Sequence, residues 1–172
     1  MFLVDALALG LALVFLVGAW MKLADRADFA LAVEAYDLLP ERLVPTAVLA
    51  LPVVELLAAL LLPWQATRAV GLLLGALVLV GVTAGVAINL LRGRTIIDCG
   101  CGGLSGRQPI SWLLVMRNLG LMAVLAIVAM APSTPLDAMG VVGGGVAFLL
   151  LYSALDRILA NRLMFRAAGW IA

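Results

Sequence analysis

Residues 69–91 read AVGLLLGALVLVGVTAGVAINLL. A membrane span needs about 20 largely apolar residues, and this run supplies them without interruption. Its Leu, Ala and Val residues show no period-2 alternation, so it does not read as a barrel strand. A helix, which satisfies its own backbone hydrogen bonds, is the remaining way to cross lipid.

Four further segments have the same character: Val4–Leu23, Pro45–Leu62, Ile110–Ala131 and Ala138–Leu159. In the last of them, Asp156 and Arg157 are expected to begin the polar exit. The whole chain agrees with this reading. Its 172 residues are 66% hydrophobic and 12% charged, with mean hydropathy +1.21. A soluble domain of this length could not hide that much apolar surface. The expected fold is all-α: a polytopic membrane helical bundle of about five transmembrane helices plus a short interfacial helix. Residues 1–172 are expected to form a single integral membrane domain. A net charge of +1 gives no reason to expect nucleic acid or an acidic partner. The N-terminus carries Asp5 where a secretory signal has basic residues, and no small-residue cleavage site precedes Trp20 and Lys22.

The interfacial helix is expected over Arg26–Leu39. Phe29, Val33 and Tyr36 recur at i, i+4 and i+7, while Asp28, Glu34 and Asp37 point largely elsewhere, and Pro40 ends the pattern. Five spans put the termini on opposite sides. One face then holds Lys22, Arg26, Arg42, Arg92, Arg94, Arg107, Arg157, Arg162 and Arg166, and the other holds only Arg68. The positive-inside rule makes the basic face cytoplasmic in a bacterial inner membrane, with the N-terminus outside.

The long connection on the basic face, residues 92–109, contains Asp98-Cys99-Gly100-Cys101-Gly102-Gly103. These are the only cysteines, and the chain has no histidine. Chemistry by imidazole is therefore excluded, and Cys99 and Cys101 become the candidate catalytic pair. An extended segment separates their α-carbons by about 6–7 Å, within disulfide reach. Arg92, Arg94 and Arg107 would favour the thiolate, whereas Asp98 would oppose it or accept a proton. Two other readings stay open: an idle pair of small residues, or a metal site. Two thiolates and Asp98 give three ligands at most, so a closed metal site would need a dimer.

Two more charges fall within the spans. Glu55 lies about 15 Å beyond Pro45, and Arg117, followed by Asn118, lies roughly 10 Å beyond Ile110, counting 1.5 Å per residue. Lone charges at such depth are costly, so a Glu55–Arg117 ion pair is expected. It would be either a structural clamp or, with Asn118, an intramembrane polar site for a quinone headgroup or a proton path. Small-residue spacings at Gly71/Gly75, Gly81/Gly85 and Gly140/Gly144 read as helix packing.

The chain resembles the methylamine utilisation protein MauE family, within the wider DoxX-like membrane group. Ile97 through Gly103, Gln108-Pro109-Ile110-Ser111-Trp112 and Arg117-Asn118 carry the match. Gly18 through Lys22, Pro40, Pro52 and Glu55 fit the DoxX-like pattern. The resemblance implies a role in maturing methylamine dehydrogenase, whose periplasmic small subunit carries many disulfides, beside a thioredoxin-like partner. Cys99 and Cys101 would then be the membrane end of a thiol relay, acting on that subunit or another secreted substrate. A secreted substrate favours thiols outside the cell, whereas the charge rule puts the loop inside. The leading expectation is a membrane thiol–disulfide redox protein that exchanges with a thioredoxin-like protein and with a membrane quinone held near Glu55 and Arg117. The competing classes are a non-enzymatic scaffold for a maturation partner and a small-solute transporter.

Overall fold

A computed structural model describes residues 3–100, 109–131 and 138–167, with the side chains of the last helix described to residue 161. All the helices follow the apolar pattern. They are α1 (Leu3–Ala24), α2 (Arg26–Tyr36), α3 (Val44–Leu61, preceded by a 3-10 turn at Glu41–Leu43), α4 (Arg68–Leu91), α5 (Trp112–Met130) and α6 (Ala138–Ala167). Five of them are long and apolar enough to cross a membrane, and the protein is a multi-pass membrane protein.

α1 is the axle of the bundle, packing against α3, α5 and α6, while α4 bridges α3 and α5. The main core joins Leu11 and Phe15 of α1 to Ala58 and Ala59 of α3, Val78 and Leu79 of α4, and Leu121 and Leu125 of α5. Leu73, Leu77 and Val80 of α4 stay exposed, as lipid-facing side chains should.

Small residues set the helix spacing. A Cβ on Gly71 would lie 2.8 Å from the backbone nitrogen of Leu62, and one on Gly144 would lie 2.7 Å from Ala6 Cβ. Gly81 is different, because a Cβ there meets nothing within 4 Å. The packing explanation therefore covers Gly71 and Gly144 but not Gly81.

The short helix after the first span forms as expected and ends slightly early. Asp25 caps it by accepting a hydrogen bond from the Asp28 N–H (3.1 Å), and Asp37 closes it in the left-handed conformation at φ 51°. Phe29 and Ala32 face inward, and Asp28, Glu34 and Asp37 are exposed.

One expectation about a charged position is corrected. The polar exit of the fifth span does not begin at Asp156, which is buried against Arg117 of α5; Arg157 beside it is exposed, and α6 continues to Ala167. A paired carboxylate can face the bundle without ending the helix. Arg68, read as the only basic residue of its face, is buried too. It is ion-paired with Asp5, and its Nε donates to the Leu62 carbonyl (3.2 Å). The Thr67 hydroxyl also donates to the Leu61 carbonyl (3.0 Å), so the α3–α4 turn satisfies two of the carbonyls left over at the end of α3.

Candidate functional site

The loop after α4 is folded back onto α2. Asp98 and Pro109 form an isolated antiparallel bridge, and the Ile110 N–H donates to the Ile97 carbonyl (2.9 Å). Asp98 Oδ1 accepts from the Gly100 N–H at 2.9 Å, the local turn that this residue type favours. Gly100 has φ +63°, and a Cβ there would lie 2.8 Å from Ala32 Cβ. Only glycine lets the loop lie this close to α2 in that conformation.

Cys99 sits between these anchors, 7% exposed, in a small core with Val86, Ile110, Leu114 and Val115. Its sulfur is in a disulfide. The chain has one other cysteine, Cys101, which lies outside the described residues, as does Arg107. The Tyr36 hydroxyl donates to the Cys99 carbonyl oxygen (3.0 Å), and Asn89 Nδ2 donates to the Tyr36 carbonyl (3.1 Å). Burial, then the negative charge of Asp98, raises the Tyr36 pKa above its ordinary value. The phenol therefore keeps its proton and remains a donor.

Arg92 and Arg94 are both engaged with Asp37. Arg92 Nη1 donates to the Asp37 carbonyl (3.3 Å), and Arg94 pairs with the Asp37 carboxylate (3.3 Å). They tie the start of the loop to the end of α2. Asp98 is a turn builder in this geometry.

Beneath Cys99 lies a cavity of about 90 Å³, bordered by Lys22, Glu55, Cys99, Arg117, Asn118 and Tyr152. Glu55, Arg117 and Asn118 thus border one space, but the expected Glu55–Arg117 ion pair is absent. Lys22 of α1 takes Glu55, with Nζ 2.9 Å from both carboxylate oxygens, and also donates to the Gly18 carbonyl (3.4 Å). Arg117 takes Asp156 of α6 and reaches Asn118 Oδ1 (3.3 Å from Nη2). Asn118 in turn donates to Thr83 Oγ1 (3.1 Å). Matching depths fixed a common level, but not which helices are neighbours. α3 makes its main contacts with α1 and α4, so its glutamate meets the lysine of α1.

Sequence reasoning missed Lys22 and Asp156 because both sit near span ends, where a charge usually marks the exit to water. Gly18, one turn before Lys22, was the available signal. A Cβ there would touch both the Lys22 Nζ and the Glu55 carboxylate at 3.5–3.6 Å.

A second cavity, of about 260 Å³, lies on the other side of Phe29, Leu51, Val82, Cys99 and Gly100, the residues it shares with the first. It is apolar and lies among α2, α3 and α4.

A family model described as "Methylamine utilisation protein MauE" matches residues 1–131. The chain is 39% identical over 155 residues to the methylamine utilization protein MauE of Paracoccus denitrificans, covering 87% of this chain and 83% of that protein. It is 40% identical over 141 residues to the protein of the same description from Methylorubrum extorquens, covering 77% and 75%. It is 31% identical over 163 residues to that of Methylophilus methylotrophus, covering 87% and 82%. No solved structure matches significantly. With most of its length matched at this level, the chain belongs to the methylamine utilisation protein MauE family.

Proposed function

We propose that this protein is the membrane component of a thiol–disulfide relay serving methylamine utilisation, with Cys99 and Cys101 as its redox pair. The observation that carries the reading is the disulfide state of Cys99 in a loop anchored to α2 directly above a cavity bordered by the buried Lys22–Glu55 pair and by Arg117. A cysteine kept only as packing needs none of this.

In the proposed exchange, a thiolate of a reduced thioredoxin-like protein attacks one sulfur of the Cys99–Cys101 disulfide. A mixed disulfide forms and the other sulfur leaves as a thiolate. The partner's second thiol then displaces the mixed disulfide, so the partner ends oxidised and this chain ends as a dithiol. Cys99 is buried, so Cys101 is assigned the exchange with soluble protein and Cys99 the inward-facing role. The substrate at the end of the relay is proposed to be a thiol protein on the side that the loop faces; it is the methylamine dehydrogenase small subunit or another secreted protein only if the loop is labelled from outside in the experiment below.

The loop is assigned to the cytoplasmic face of the inner membrane. Arg26, Arg42, Arg92, Arg94 and Arg157 are all exposed at its end of the bundle, whereas Arg68 at the opposite end is buried and paired. Impermeant alkylation of reduced spheroplasts tests this, and labelling from outside refutes it.

The decisive experiment for the relay is alkylation of the purified protein across a redox series. Both thiols are expected to appear and disappear together, and the Cys99→Ser/Cys101→Ser variant is expected to insert normally yet lose function. Two thiols that stay alkylatable under oxidising conditions, or a fully active double variant, would replace the relay with the scaffold reading.

A further inference from the structure

We infer that the apolar cavity among α2, α3 and α4 is the binding site of a lipid-soluble quinone that reoxidises the Cys99–Cys101 dithiol, an inference resting on the relay proposed above. Three observations on different residues converge on it.

The first is the shape of the groove. At about 260 Å³ it approaches the smaller ligand sites of proteins, and its inner wall includes buried Phe29, Ala32 and Cys99. Its rim includes Leu39 and Gly81, which are exposed. Because α3 and α4 are spans, that rim opens toward lipid. Gly81 borders the groove and a Cβ there meets nothing within 4 Å, so the missing side chain widens it.

The second is the sulfur. Cys99 borders this groove and the polar cavity alike. A ligand in the groove reaches the redox pair from the bilayer side, while soluble protein reaches it from the loop side. The two exchanges need not compete for one surface.

The third is the set of polar groups next door. Reoxidation breaks two S–H bonds and forms one S–S bond, releasing two electrons and two protons. A quinone takes up both of each, its two carbonyls becoming hydroxyls. Lys22, Glu55 and Arg117 border the polar cavity on the other side of the shared wall, and Cys99 borders both spaces, so a proton leaving the sulfur has charged groups in the adjoining cavity to receive it. An acyl chain would also fit the groove, but it could accept nothing from a thiol.

The test uses the full chain in lipid nanodiscs, reduced with dithiothreitol and freed of it, with decylubiquinone as the probe. Quinol formation is followed by absorbance, and disulfide formation by alkylation. One quinol per disulfide is expected. Gly81→Leu, whose new side chain enters open space in the groove, should raise the KM for decylubiquinone at least about tenfold. Gly120→Leu also extends into open space, but on α5 away from the groove, and should leave KM unchanged. A photoreactive quinone analogue should label peptides of α2 or α4, and decylubiquinone should displace it.

Stoichiometric quinol with a Gly81-dependent KM supports the site. If dithiothreitol reduces the disulfide and a thioredoxin-like protein exchanges with it but no quinol forms, the quinone inference falls while the relay stands. The quinone site is equally overturned, with the relay intact, if quinol forms with equal KM in both variants, or if phospholipid rather than quinone displaces the label. If the thiols do not cycle at all, the relay reading itself has failed.

Discussion

Lys22 Nζ lies 2.9 Å from both carboxylate oxygens of Glu55, and both side chains are buried on the wall of the cavity that Cys99 also borders. Phe29 faces the same ammonium, its ring centroid 5.8 Å away. Removing one member strands the other in a low-dielectric interior, and that costs about 3–5 kcal/mol for a buried pair. Lys22→Met and Glu55→Leu are each expected to lower stability strongly in denaturant unfolding of the micellar protein. The double substitution should lose much less than the sum. Additive single effects would mean that the pair does not form.

The second pair gives a sharper comparison. Arg117→Met and Asp156→Leu are expected to couple strongly in a double-mutant cycle, whereas Arg117→Met and Glu55→Leu should be nearly additive. Coupling confined to Glu55 and Arg117 would restore the pairing that depth alone suggested.

How much was legible in the sequence follows from this contrast. The spans were readable because twenty-odd consecutive apolar residues leave little choice in lipid. The amphipathic helix at Phe29, Val33 and Tyr36 was readable because its period is local. The partners of Glu55 and Arg117 were not, because they depend on which helices touch, and α1 had no mark declaring it central. Lys22 and Asp156 were hidden by position: near a span end, a charge facing inward and a charge facing water look alike. The groove at Gly81 was hidden for the same reason, since a glycine that packs and one that leaves space are identical in sequence.

Tyr36 links α2 to the loop through its hydrogen bond to the Cys99 carbonyl. Tyr36→Phe removes that bond and should cost about 0.5–1.5 kcal/mol. The pH dependence has a definite sign. The folded-state pKa is raised, chiefly by burial and then by Asp98, so the neutral phenol is favoured in the folded protein. Its contribution is fully present below the ordinary tyrosine value of 10.0 and is lost as the pH rises from there toward the folded value. Wild-type stability should therefore fall more steeply above about pH 10 than that of Tyr36→Phe. Parallel alkaline slopes would show that Tyr36 is not held as a buried donor. Alkylation of Cys99 in the reduced Phe variant should also be faster, because the loop loses one of its anchors.

The two cysteines should behave differently when separated. Cys99 is 7% exposed, with its carbonyl held by Tyr36 and the turn beside it closed by Asp98. A soluble protein's active site cannot easily reach that sulfur, so the relay assigns intermolecular exchange to Cys101. In Cys99→Ser, Cys101 can form a mixed disulfide with a thioredoxin-like partner, and no neighbouring thiol is left to release it. That variant should accumulate a covalent adduct, visible as a shifted band on non-reducing gels and lost with dithiothreitol. In Cys101→Ser the surviving thiol is the buried one, so adduct should be scarce. A partner variant lacking its own resolving cysteine should increase the yield with wild-type protein and leave the order of the two serine variants unchanged. More adduct from Cys101→Ser than from Cys99→Ser would reverse the assignment, placing the exposed exchange at Cys99 and requiring the loop to lift from α2 during turnover. No adduct from either variant, with a partner shown to be reduced and active, would remove the soluble exchange step.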